Sequence, residues 1–262
     1  MLLLDSCAHP TCDGQWTQGR TGVTHAELAA DLEAHHLQGA LAIGLPDVGS
    51  YDHRVFMDLC APHRSLIPVA AMTTHHSGPA LDADLDEIQA CGYRIVKIHP
   101  RLLGYEHTMA ALPTLIGECV ARGLGVALCT YPEYKSDLDP DEARRQMAEA
   151  IAAHPEGHFI TMHSGMLDPA PFAALAIDNP RILLDFSMSL TKYPDQMRST
   201  VIEIAGRNPR AISLGSDGPE WSYTQVREAL DDVSADLEPT AAEGFAGMNL
   251  RTWLARIDAG LP

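Results

Sequence analysis

The chain reads as a single α/β domain, a (β/α)8 TIM barrel, and three observations predict it. Eight short apolar runs recur along the sequence, each followed by a stretch with helical spacing or capping signals. The length of 262 residues, with 46% hydrophobic content, suits one such barrel and supplies a sizeable core. No G-x-G-x-x-G turn follows the first run and no P-loop is present, which removes the usual reason to prefer the runner-up, a doubly wound open sheet. One domain over residues 1–262 is expected, because no linker-like composition shift or repeat divides the chain.

The first strand starts as Leu2-Leu-Leu-Asp5, an apolar run of the kind buried on both faces, and ends in Ser6-Cys7-Ala8-His9-Pro10. Residues 11–22, rich in Gly, Thr, Asp and Gln around Trp16, read as a loop over the strand end. Thr24 opens a helix over 24–36, with Glu27 completing a capping box. Strands over 40–45 and 66–71 follow, separated by a helix over 53–60. An amphipathic helix over 81–90 leads to a fourth strand at 94–98, and a helix over 110–122, ended by Gly123, leads to a fifth at 125–129. Helices at 140–154, 171–178 and 193–206 alternate with strands at 158–162, 182–186 and 211–215, and helices over 224–233 and 240–257 close the chain. The acidic run from Asp231 to Glu238 reads as a solvated connection.

Lys and Arg total 18 against 35 Asp and Glu, a formal charge of -17, so the basic footprint that nucleic-acid binding needs is missing. No stretch is long and apolar enough to span a bilayer, and the MLLLDSCAHP start has neither a cationic leader nor a signal-length apolar run. The expectation is a cytoplasmic protein with a small-molecule substrate, without nucleic-acid or membrane partners, and compatible with a homo-oligomer. Six cysteines in such a chain read as thiols or metal ligands rather than a disulfide framework. Cys60, Cys91 and Cys119 fall in or beside helices and read as small buried apolar residues.

In a barrel the C-terminal strand ends face one mouth, where chemistry resides. Those ends supply Cys7 and His9, His75 and His76, Lys97 and His99, Cys129, His163 and Asp217. Cys7 and His9 are two apart and share a strand face. A lone Cys-x-His pair usually binds nothing. The convergence of many such residues on strand ends is what carries weight.

In this light the chain resembles the amidohydrolase superfamily, especially its amidohydrolase-2 branch of hydrolases and decarboxylases. Asp5-Ser-Cys-Ala-His9-Pro10 is similar to that family's D-x-H-x-H-P start, and Val96-Lys-Ile-His99-Pro100 to its fourth-strand G-x-K-x-H-P. Gly123-Leu-Gly-Val-Ala-Leu-Cys129-Thr130 resembles a segment that normally ends in His-Thr. Ile160-Thr-Met-His163-Ser-Gly165 resembles the sixth-strand His, Leu214-Gly-Ser-Asp217-Gly-Pro219 the eighth-strand S-D-x-P, and Gly247-Met-Asn249-Leu-Arg251-Thr-Trp-Leu254 the terminal G-x-N-x-x-R-L helix. The resemblance runs over essentially the whole chain. It implies a metal held by first-strand and fifth-strand histidines with the eighth-strand Asp, yet Cys7 and Cys129 stand at two of those three His positions while His9 and Asp217 remain.

One reading is therefore a remodelled site in which Cys7, His9, Cys129 and Asp217 hold Zn²⁺. Two thiolates would cancel the ion's charge and lower its acidity, so a nearby base, Asp217 or His163, gains importance. A second reading drops the metal and makes Cys7 or Cys129 a thiolate nucleophile beside an imidazole. A third keeps the mouth as a binding site without catalysis. The expected reaction is hydrolysis of a C-N or C-O bond, or non-oxidative decarboxylation, on a small anionic metabolite bound by Lys97, His99 and His75. The bland alternatives are a Lys97 that pairs with Asp5 or Asp217, and Trp16, Tyr131 and Met188 that merely pack. His76 reads as structural, His35, His36, His53, His63, His107, His154 and His158 as surface residues, and Cys12 as a poor substitute ligand on an unanchored loop.

Overall fold

The structure is a computed structural model and describes residues 3–259. Eight parallel strands follow one another in sequence order: β1 (Leu4–Ala8), β2 (Gly39–Ile43), β3 (Leu66–Ala71), β4 (Ile95–Ile98), β5 (Gly125–Cys129), β6 (Phe159–Met162), β7 (Ile182–Asp185) and β8 (Ile212–Ser213). The ring closes through the segment after β8. Ser6 N donates to the Leu214 carbonyl at 3.3 Å, Asp217 N to Cys7 at 2.7 Å, and His9 N to Gly218 at 2.9 Å. This irregular closure explains why the eighth strand is only Ile212 and Ser213 rather than the full 211–215 run.

The helices are α1 (His25–Ala34), α2 (His53–Cys60), α3 (Pro79–Ala90), α4 (Tyr105–Ala121), α5 (Pro140–Ala152), α6 (Ala170–Ala176), α7 (Ser189–Lys192), α8 (Pro194–Arg207), α9 (Tyr223–Ser234), α10 (Pro239–Glu243) and α11 (Asn249–Ala259). The Thr24 capping box forms as expected, and Ser222 with Gln225 builds a second one at α9. Helix α4 begins at Tyr105, ahead of the expected residue 110, because Tyr105, Thr108, Met109 and Leu112 extend its buried face backwards at helical spacing. The short α7 was not foreseen.

The expected helix over 240–257 is broken into α10, a π turn at Gly244–Met248, and α11. The break sits at Gly247, which has φ +132°; a Cβ there would stand 2.6 Å from the Leu4 backbone nitrogen. Leu3 N donates to the Ala246 carbonyl within the same turn, so the start of β1 is held where the helix opens.

Side chains inside the barrel, among them Leu41, Ile43, Val69, Ile95, Ala127, Ile160 and Leu183, form a core plugged at one end by Leu250, Trp253 and Ile257 of α11. Leu4 and Ile95 begin their strands, so that plug closes the N-terminal end. Strand periodicity then turns Lys97, two after Ile95, and Cys129, two after Ala127, into the barrel near its open end. A second, larger core fills the layer between strands and helices. Among the described residues no helix is long and apolar enough to cross a membrane.

Candidate active site

Register between β1 and β2 shifts between Asp5 and Ala8, and beyond that irregularity Cys7 and His9 meet Asp217 from the β8 closure. The Cys7 Sγ lies 3.5 Å from His9 Nε2 and 3.5 Å from Asp217 Oδ1, and Nε2 lies 3.4 Å from Oδ1. All three residues are buried, with Asp217 7% exposed. His9 Nδ1 stands 3.0 Å from the Ile43 carbonyl, which can only accept, so Nδ1 carries a proton and Nε2 faces the other two groups. Burial, then the neighbouring Asp217, pushes the Cys7 thiol well above its ordinary range. Burial would also raise Asp217, but His163 and His9 outweigh it and draw its pKa below the usual carboxylate range.

A buried polar scaffold that the sequence reading did not anticipate supports this group. The Asp5 carboxylate accepts from Cys7 N at 2.9 Å, Ser216 N at 2.8 Å, Ser216 Oγ at 2.6 Å and Tyr223 Oη at 2.8 Å. Burial pushes Asp5 up to about 6 against the pull of those four donors. Asp185 accepts from Ser6 Oγ at 2.5 Å, His163 N at 3.1 Å, Ser187 N at 3.2 Å and the Ser187 hydroxyl. His163 Nδ1 lies 3.1 Å from both Ser187 O and Ser187 Oγ, which aims its Nε2 toward Asp217 Oδ1 at 3.8 Å. His163 and the next residue, Ser164, both have positive φ, at 64° and 38°, so this turn is held in a conformation that L-residues rarely adopt.

Cys129, expected as a further ligand, lies outside the Cys7, His9 and Asp217 group. It sits with His99 and His163 on the β4 to β6 side of the mouth. Burial alone would raise its thiol, but these two imidazoles outweigh that and hold it well below its ordinary range. Burial opposes charge on His163 as well, yet Asp217 and Cys129 prevail and raise its pKa. Lys97 is fully buried and pairs with neither Asp5 nor Asp217; its Nζ has no hydrogen-bond partner, and neither does His99 Nδ1.

His75 lies beyond the end of β3 on the rim, its ring 4.2 Å from His76 and 5.5 Å from His107 between centroids. His76 therefore lies beside His75, the two rings tilted by 43°, instead of facing away, since strand alternation ends at Ala71. His53, read as a surface residue, is buried: its Nδ1 meets Tyr51 Oη at 2.8 Å and its Nε2 meets Asp84 at 3.0 Å. The loop after β1 lies over the site. Trp16, its ring 6.0 Å from His9, donates Nε1–H to Glu220 at 2.8 Å, and Arg20 pairs with the same carboxylate. Beside His9, Trp16, Leu45, Val48 and Tyr51 line a narrow crevice with no room for a water molecule. A more open groove of about 260 Å³ runs along α6 and α8, away from the converging groups.

No protein-family model matches the sequence, and no curated protein sequence matches it significantly. Solved structures do match. An uncharacterized TIM-barrel protein from Bordetella bronchiseptica aligns with a TM-score of 0.76 at 16% identity, over 98% of this chain and 100% of that one. A probable 2-pyrone-4,6-dicarboxylic acid hydrolase from Acinetobacter baumannii, with citric acid bound, aligns at 0.64 and 14% identity, over 97% and 100%. A 2,6-dihydroxybenzoate decarboxylase complexed with 2,6-dihydroxybenzoate aligns at 0.62 and 14%, over 97% and 98%. At these identities the likeness is one of fold: the chain is a TIM barrel of the architecture shared by amidohydrolase-type hydrolases and decarboxylases.

Proposed function

We propose that the chain is an amidohydrolase-like enzyme that uses a bound metal to hydrolyse a C–N or C–O bond in a small anionic substrate, or to decarboxylate it. The observation that carries this reading is the triangle of Cys7 Sγ, His9 Nε2 and Asp217 Oδ1, with edges of 3.5, 3.5 and 3.4 Å. Donors bound to tetrahedral zinc at its usual bond lengths stand roughly 3.3–3.6 Å from one another. The donor set fits. Cys7, His9 and Asp217 would hold Zn²⁺, and the Ile43 carbonyl would orient His9 in the way that outer-shell partners orient metal-binding imidazoles.

When bound, Zn²⁺ supplies Lewis acidity, moderated here by one thiolate and one carboxylate. That moderation gives His163 its role. Its Nε2 can hold or pass a proton beside Asp217, while Ser187 and Asp185 fix the ring and backbone. Lys97 brings an unpaired ammonium into the mouth, and with His99 it would bind a substrate carboxylate. The hydrolase and decarboxylase with this fold are named for carboxylated compounds, which supports an anionic substrate. The six free cysteines fit a reducing, cytoplasmic setting.

Cys129, whose thiol is held well below its ordinary range by His99 and His163, supports a second reading, metal-free chemistry with Cys129 as nucleophile. Elemental analysis of protein purified without chelators or a metal-affinity column separates the two. About one zinc per chain is expected in the wild type and in Cys129→Ser, with loss of the metal in Cys7→Ser. A metal-free wild type that turns over substrate would overturn the metal reading in favour of the thiolate.

A further inference from the structure

The N-terminal face of the barrel, opposite the mouth, gathers cations for which the fold supplies no counter-charge. Arg94, His158 and Arg181 each stand one residue before a strand, β4, β6 and β7, and Arg210 stands two before β8. Parallel strands all begin at the same end, so these residues share one face, to which α11 adds Arg256. Acidic side chains outnumber basic ones 35 to 18 in this chain, so arginines do not go unpaired for want of carboxylates. Yet, among the described residues, the guanidiniums of Arg94 and Arg256 reach only backbone carbonyls, Ile257 O at 3.1 Å and Pro180 O at 2.6 Å. Arg181 Nε and His158 Nε2 are buried without any hydrogen-bond partner. Arg210 is exposed and, among the described residues, only its backbone N–H is engaged, by Asn208 Oδ1 at 3.2 Å.

These groups form one neighbourhood. The His158 ring meets Trp253 edge-on at 6.2 Å, and burial, then the charges of Arg181 and Arg256, lowers its pKa, which places both guanidiniums near that ring. Like charges gathered in this way repel one another. Bracing the α11 plug accounts for the two carbonyl contacts but not for Arg181 Nε or for Arg210. A cavity of about 490 Å³ opens beside them, lined by Arg210 and Arg256 together with Trp253, Met248 and Glu243. The π turn Gly244–Met248 contributes to its wall, and such irregularities in helices are frequent at functional sites. Two arginines suit a doubly charged oxyanion, which accepts several N–H donors at once. Glu243 decides what accompanies that anion, because a carboxylate repels a bare anion and accepts hydrogen bonds from hydroxyl groups.

We propose that this cavity binds a phosphate ester whose remaining part carries hydroxyl groups. Arg210 and Arg256 hold the phosphate, Arg181, next to the lining residue Pro180, adds to the field, and Glu243 takes the hydroxyls. The site lies at the far end of the barrel from Cys7, His9 and Asp217, so it is separate from the mouth and independent of any metal or reaction there. A ligand seated on Arg256 and against Trp253 fastens α11 to the barrel and raises the stability of the whole fold.

The test is calorimetric titration of the whole protein at low ionic strength with ribose 5-phosphate, inorganic phosphate and ribose, paired with thermal melting. Ribose 5-phosphate should bind at one site and raise the melting temperature, inorganic phosphate should bind at least about fivefold more weakly, and ribose should not bind. Arg210→Gln, at an exposed position with no side-chain bond to lose, should weaken ribose 5-phosphate about tenfold, and Arg256→Met should do the same. Glu243→Gln should strengthen inorganic phosphate and so narrow its gap to ribose 5-phosphate. Lys97→Met, which removes the cation of the mouth, should leave ribose 5-phosphate binding unchanged. Absence of binding at millimolar concentration, wild-type affinity in Arg210→Gln, or loss of binding in Lys97→Met would overturn the proposal, the last by placing the phosphate in the mouth.

Discussion

Asp5 and Ser216, 211 positions apart, are joined by two hydrogen bonds, 2.8 Å from the serine N–H and 2.6 Å from its hydroxyl. The same carboxylate takes the N–H of Cys7, and Ser216 directly precedes Asp217, so one buried side chain fixes both segments that supply the candidate metal ligands. Four donors converge on it. Asp5→Asn would turn an NH₂ group toward donors that need an acceptor, at a cost of about 2–4 kcal/mol. For a chain of this length the melting temperature should fall by roughly 5–10 °C. Zinc affinity should fall about 10- to 100-fold, as is usual for outer-shell changes. Thermal unfolding and competitive zinc titration would check both, and an unchanged zinc affinity in a folded Asp5→Asn protein would remove Asp5 from the site.

The Trp16 to Glu220 hydrogen bond joins the loop after β1 to the segment after β8 at the mouth. Arg20 shares the carboxylate from an exposed position, so its ion pair contributes little by itself. Glu220→Ala should therefore leave global stability within about 1 kcal/mol of the wild type while freeing the loop. The expected signature is a red-shifted tryptophan emission and faster acrylamide quenching. Both should be lost in a Trp16→Phe background if Trp16 is the reporter.

Much of this architecture was legible because burial on both faces leaves nearly continuous apolar runs, and eight of these alternate with amphipathic segments. Cys7 and His9 could be paired from the two-residue period alone. Cys129 could not be placed in that way. Its position matched a metal-ligand position by resemblance, but its sulfur is not among the donor atoms that lie together at Cys7, His9 and Asp217. His163, beside both Asp217 and Cys129, is the link between the two sets. Asp185, Ser187 and Tyr223 escaped notice because the site residues they hold, Ser6, His163 and Asp5, lie far from them in sequence; the one available signal was a lone carboxylate in the apolar run Ile182-Leu-Leu-Asp185-Phe186. His53 misled for a related reason, since it stands between the polar Asp52 and Arg54 and only the fold brings Asp84 to it. The terminal helix broke at Gly247, where the backbone of Leu4 comes too close for a side chain.

His25, at the start of α1, is buried edge-on against Phe56 at 4.5 Å between centroids, and neither ring nitrogen has a partner. Burial first, and then the charge of His63, lowers its pKa from 6.5 to about 4. Because the folded value lies below the unfolded one, the unfolded chain takes up the proton first on acidification. This contribution to stability is therefore complete above pH 6.5 and is lost as pH falls toward 4. After allowance for solvent screening, it should cost roughly 1 kcal/mol at pH 5. Urea unfolding at pH 7 and pH 5 should show a smaller decrease in His25→Leu than in the wild type. Equal decreases in the two proteins would show that His25 is accessible to protons in the folded state.

Lys97 presents the clearest conflict between stability and use. Its side chain is fully buried among Cys7, His99, His163 and Asp217, whose charges it perturbs, yet its Nζ is within hydrogen-bond reach of none of them. A buried ammonium without a partner opposes folding, and an apolar side chain of similar shape removes that cost. Lys97→Met should therefore raise stability by about 1–3 kcal/mol in ligand-free protein while abolishing carboxylate binding. The two effects should also be linked: saturating benzoate should raise the melting temperature of the wild type, in proportion to its affinity, and leave Lys97→Met unmoved. A variant that melts lower than the wild type and still responds to benzoate would mean that the lysine serves the fold, and that carboxylate capture resides elsewhere in the mouth.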